Sequence, residues 1–228
     1  MFSELSKNFF LKKYYFNRPE MEKLLIISVL FSILLLSARV IITNKLLFVF
    51  LPWNLFLAWV PYQISTALMQ KPGLVESKWK LGALCIAWIL FIPNAFYILT
   101  DLFHLQLREE STRWFDLTLI FSFAWNGLLL GILSVRQMEK IASHVLGLKS
   151  EWLFLVPVMW LIALGIYIGR FMRFNSWDVI TNPFTLFGEI GYMLIHPFRH
   201  FVSWSTIGCF AIFMTIIYIS IKRLAKEI

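Results

Sequence analysis

Asn94, Tyr97, Asp101 and His104 lie within residues 91–105, FIPNAFYILTDLFHL, a segment that stays apolar despite them. Polar side chains are costly in lipid, so a set of this kind points to a site. At 100° per residue these four, followed by Arg108, fall in a stripe about 80° wide on one helical face. An aspartate and a histidine three apart can share a metal ion or act as an oriented acid and base. A metal needs a further ligand, with Asp116 or Asp178 on hand, and the nearby arginines disfavour a cation. An Asp-His-Arg hydrogen-bond network is therefore the preferred reading, with no metal and no cofactor. Serine-hydrolase, P-loop, HExxH and dinucleotide signatures are absent from the sequence.

The elements that must carry these residues are membrane spans. The chain has 228 residues, 59% of them hydrophobic and 18% aromatic, where a soluble domain holds about 45–50% apolar residues. Six windows are long and apolar enough for spans, near residues 24–43, 47–68, 80–101, 115–135, 152–171 and 201–221. The expected fold is all-α and polytopic, with a cytoplasmic amphipathic arm over 1–22, a six-helix domain over 23–222 and a short tail over 223–228. Pro52 and Pro61 interrupt the second window, so a kinked helix is expected there. Cys85 and Cys209 both fall inside spans, which argues against a disulfide framework.

The formal charge of +8 is a topological signal rather than a nucleic-acid footprint. Lysines and arginines concentrate in the N-terminal arm, the second and fourth loops and the C-terminus. The positive-inside rule then makes both termini cytoplasmic. On that topology the outer ends of the third, fourth and fifth windows meet. The third brings Asn94, Tyr97, Thr100, Asp101 and His104, the fourth Trp114 and Asp116, and the fifth Arg170, Arg173, Asn175, Trp177 and Asp178. Asn54 of the second window can join them. Arg170 and Arg173 share a face and can meet Asp101, Asp116 or Asp178 in bidentate pairs, and ion pairs that only hold helices together are the competing reading of the same residues. Asn126 either extends a polar cavity toward the midplane or makes a helix-to-helix hydrogen bond.

The stretch of about 30 residues between the last two windows is long for a structureless connection. Thr181 or Asn182 can cap a helix that opens at Pro183 and runs for about a dozen residues, a re-entrant or interfacial element over the outer face. Gly127xxxGly131 and Gly165xxxGly169 allow close approach between membrane helices.

The segments LPWNLFLAWVPY, FIPNAFYILTDLFHL, FDLTLIFSFAWNG and GRFMRFNSWDVITNP together resemble landmarks of domain-of-unknown-function family 1361, over about residues 25–220. The resemblance implies a multi-pass protein of the bacterial cytoplasmic membrane and supplies no catalytic assignment. The favoured function is binding or transport of a small polar or anionic solute, or a lipid headgroup, by Asn94, Tyr97, Asp101, His104, Asp116, Arg170, Arg173, Trp177 and Asp178. One alternative is an enzyme acting on a lipid or cell-envelope precursor, with His104 as base and Asp101 orienting it. Another is a scaffold subunit whose glycine faces meet an oligomer or partner. Membrane lipids are the expected surroundings. Cysteines placed at positions 110 and 147 should label from outside and inside respectively, and reversed labelling would overturn the topology.

Overall fold

The computed structural model describes residues 18–107, 110–174 and 178–227, and every regular element among them is helical. Helix α1 (Arg18–Thr43) opens with Glu20 in its first turn, where a carboxylate suits the helix dipole. It closes at Asn44, whose amide donates to the Val40 carbonyl at 2.8 Å. Asn44 takes φ 51°, a left-handed conformation that asparagine tolerates better than most residues. Helix α2 (Phe50–Gln70) is followed by the single turn α3 (Pro72–Glu76) and then α4 (Lys78–Tyr97). From Ile98 to Leu107 the chain tightens into a 3-10 segment. Helices α5 (Glu110–Leu146), α6 (Trp152–Arg170), α7 (Asp178–Thr181), α8 (Pro183–Ile195) and α9 (Phe201–Glu227) complete the chain.

Among the described residues, five helical stretches are long and apolar enough to cross a membrane: α1, α4 with the start of the 3-10 segment, α5, α6 and α9. Helix α2 has the length, about 31 Å at 1.5 Å per residue, but its polar side chains dilute its hydropathy. Its neighbours explain why that is tolerated, because α2 packs against α4 and α5 inside the bundle. The expected fourth window is the core of a far longer helix. At 37 residues, α5 extends well beyond a hydrocarbon layer about 30 Å thick. The expected helix after residue 182 is α8, with Asn182 at its N-cap position, Pro183 in its first turn and Thr185 Oγ1 donating to Asn182 Oδ1 at 2.7 Å.

A buried polar network joins α2, α4 and α5 well inside the bundle. Trp88 Nε1–H donates to Ser134 Oγ at 2.8 Å, Ser134 donates to the Pro61 carbonyl at 2.9 Å, and Ser65 donates to Gln137 Oε1 at 2.6 Å. Ser65, Ser134 and Gln137 are at most 1% exposed. Each such interhelical bond contributes about 0.6 kcal/mol in a membrane protein, and together they fix the register of three helices. Farther along, Lys222 of α9 meets Glu139 of α5 and Glu151 at the start of α6, and Tyr218 donates to Glu139.

The two glycine pairs make the close approaches between helices that their spacing allows, within the chain itself. A Cβ on Gly127 would lie 2.9 Å from the Ala95 carbonyl oxygen, and one on Gly131 2.8 Å from the Phe96 ring. On the other flank, a Cβ on Gly165 would lie 2.5 Å from Pro93 Cγ and one on Gly169 3.2 Å from the Tyr97 ring. Helix α4 is thus clasped between glycine faces of α5 and α6. Gly165→Ala should destabilise the fold by about 1–3 kcal/mol through overpacking. Gly208→Ala, whose added methyl meets nothing nearer than Trp160 at 3.9 Å, should be neutral or stabilising, and thermal unfolding of the two variants checks the contrast.

Candidate functional site

Where α4 gives way to the 3-10 segment, a cavity of about 560 Å³ opens between α2, α4, α6 and α8. Its polar lining is Asn54, Asn94, Tyr97, Asp101 and Arg170. Arg170 is the last residue of α6, placed by the Gly169–Tyr97 contact beside the end of α4. Its Nη2 donates to the Thr100 carbonyl at 2.7 Å and its Nη1 to the Tyr97 hydroxyl at 3.4 Å. Nη1 also lies 3.5 Å from Asp101 Oδ1, and the guanidinium sits 5.8 Å from the Tyr97 ring centroid. A cation that takes up carbonyls at a helix C-terminus offsets the negative end of the dipole, so Arg170 steadies the turn it reads.

Asp101 is 1% exposed, and its Oδ2 accepts from Asn54 Nδ2 at 2.9 Å. Asn94 donates to the Phe91 carbonyl at 3.0 Å while lining the cavity. Two oppositely charged groups and two amides therefore face one space, which can hold a ligand by charge-assisted hydrogen bonds. Opposite them the walls are apolar, with Leu57, Leu90, Leu161 and Leu164 below and Leu186, Phe187 and Ile190 of α8 above.

Of the nine residues expected at the site, Asn94, Tyr97, Asp101 and Arg170 come together. Asp116 does not: it is fully buried in a separate pair, accepting from Arg39 Nε at 2.5 Å and Nη2 at 3.1 Å. Arg173 is exposed at φ 61°, just past the end of α6, and does not line the cavity. Asp178 opens α7 and accepts from Thr181 Oγ1 at 3.1 Å, also away from the cavity lining. The backbone of His104 lies in the 3-10 segment, but its side chain is outside the described residues, as are Asn175 and Trp177. The uniform 100° step ends at Ile98, and in the tighter 3-10 winding positions three apart, such as 101 and 104, fall on one line along the backbone. Among the described residues, no three of histidine, cysteine, aspartate and glutamate gather where they could hold a metal ion.

Asn126 takes the hydrogen-bonding role: its Nδ2 donates to Ser32 Oγ and to the Ser122 carbonyl, both at 2.9 Å. Sequence reasoning missed Arg39 as the partner of Asp116. The signal was present, since Arg39 is a lone cation near the end of an apolar window and needs a counter-charge.

A bundle of long apolar helices with a partly polar internal cavity defines an all-α protein of multi-pass membrane character. The chain belongs to the family described as protein of unknown function (DUF1361), which it matches over residues 53–221. The match starts inside α2 and excludes α1, a shorter reach than the resemblance over about 25–220 suggested. No curated protein and no solved structure matches the chain.

Removing one partner of the Arg39–Asp116 pair leaves an uncompensated buried charge. Arg39→Ala should therefore cost about 3–5 kcal/mol, whereas the double change Arg39→Met with Asp116→Leu should recover most of that loss. Unfolding of both variants, measured alongside the parent protein, checks the difference.

Proposed function

We propose that this protein is a six-span protein of the bacterial cytoplasmic membrane, with both termini inside, that binds a small polar or anionic ligand or a lipid headgroup in an outward-facing cavity, as a carrier or accessory binding protein. The observation that carries the reading is the convergence of Asn54, Asn94, Tyr97, Asp101 and Arg170 from α2, α4, the 3-10 segment and α6 on one cavity. Polar and charged groups inside a helical bundle are costly, and a ligand that meets them offsets that cost. In this reading α2 crosses the membrane as the sixth span, shielded by α4 and α5, and α8 lies at the outer interface as a cover.

The roles follow from position. Arg170 takes an anionic oxygen of the ligand. Asp101 and Asn54 take its hydrogen-bond donors, and Asn94 and Tyr97 complete the polar end. Arg173, outside the cavity, has no part in the contact.

Glycerophosphoethanolamine and dodecyl phosphate, added to the purified full chain in maltoside detergent, test the reading by thermal unfolding. At least one should stabilise the protein, by about 2.7 kcal/mol when present at a hundred times its Kd. Arg170→Gln, Asp101→Asn and Asn54→Ala should each weaken that effect tenfold or more while leaving membrane insertion intact, and Arg173→Ala should leave it unchanged. Undiminished stabilisation in all three cavity variants would overturn the assignment.

A further inference from the structure

The cavity is polar at one end only, and this distribution narrows the ligand class. From Asp101 back to Ile89 the α4 wall runs for about 20 Å, using 1.5 Å per residue in the helix and about 2.0 Å in the 3-10 segment. The polar residues of that wall, Asn94, Tyr97 and Asp101, precede an apolar stretch at Leu90 and Ile89. On α6 the lining passes from Arg170 to Leu164 and Leu161 in the same sense, while on α2 Asn54 is flanked by Trp53 and Leu57. Two helices therefore change from polar to apolar in the same direction. Lining residues that remain exposed are apolar too, with Trp53 at 53%, Leu90 at 37% and Leu161 at 44%. A small hydrophilic solute has no use for such a slot, and a hydrocarbon has none for Asp101 and Arg170.

Charge narrows the class again. Among the described residues of the lining, the charged ones are Asp101 and Arg170, and their charges cancel. A ligand of net charge would leave one charge uncompensated in a low-dielectric space, whereas a head of both signs would not.

Resting on the binding function proposed above, we infer that the ligand is a zwitterionic amphiphile. Its phosphate meets Arg170, its ammonium meets Asp101 and Asn54, and its alkyl chain lies between Leu57, Leu90, Leu161 and Leu164 under the Leu186, Phe187 and Ile190 face of α8. Entry is lateral, from the hydrocarbon layer past Trp53 and Leu161.

The test compares three probes on the purified full chain in maltoside detergent. They are 1-lauroyl lysophosphatidylethanolamine, glycerophosphoethanolamine, which has the same head without the chain, and dodecyl phosphate, which has a chain and an anion without the ammonium. Half-maximal stabilisation by the lysolipid should need at least tenfold less ligand than by either of the others. Equal potency of glycerophosphoethanolamine would overturn the amphiphile and leave the polar binding site standing. Equal or greater potency of dodecyl phosphate would overturn the zwitterionic head. Silence from all three would overturn both this inference and the binding function beneath it. Leu90→Trp, which fills the apolar slot at an exposed position, should weaken the lysolipid tenfold or more and leave glycerophosphoethanolamine unchanged. An undiminished lysolipid response in that variant would also overturn the inference.

Discussion

Four glycines, two on α5 and two on α6, bring backbone against α4, and at Gly127, Gly131 and Gly165 an added Cβ would come within 3.0 Å of its atoms. Without a hydrophobic drive between helices in lipid, close van der Waals contact of this kind is a principal source of association. Here it also dictates position. Gly165 seats Pro93 and Gly169 seats Tyr97, so the end of α4 is pressed to the end of α6, and Arg170 arrives beside the Thr100 carbonyl and Asp101. The same two glycines line the cavity. Their missing side chains admit α4 against α6 beside the cavity, so packing and site share one constraint.

Hydropathy made most of the framework legible. The long helices lie on the expected windows, and α8 begins at the Asn182–Pro183 signal because capping chemistry is local. The polar stripe pointed to residues that the fold brings together, since Asn94, Tyr97 and Asp101 share a cavity with Arg170. Partner choice was not legible. Two arginines and two aspartates near the ends of apolar windows can pair in more than one way, and nothing in their spacing along the chain distinguishes these. Helix packing distinguishes them: α1 lies on α5 and so gives Arg39 to Asp116, while α6 lies on α4 and gives Arg170 to Asp101. The winding change at Ile98 was hidden for a similar reason. Its sequence is as apolar as the helix before it, and the contacts of Gly127 and Gly169 with Ile98 and Tyr97 are tertiary.

The two Arg-Asp pairs are chemically alike and differently housed. Arg39 and Asp116 are closed into the bundle by two direct hydrogen bonds, with the Phe48 ring 6.0 Å from the guanidinium. Nothing in the cavity touches them, so they serve as a pin between α1 and α5. Arg170 and Asp101 are braced by neutral groups instead, the first by the Thr100 carbonyl and the second by the Asn54 amide, and both line the cavity, Arg170 partly exposed and Asp101 buried. A buried pair brings little net stability over apolar residues of the same volume, because desolvation cancels most of the attraction. A pin tolerates that balance. A pair whose members are each braced by neutral groups can also be parted by a ligand without leaving either charge unsolvated, and that property separates a binding site from a structural bridge.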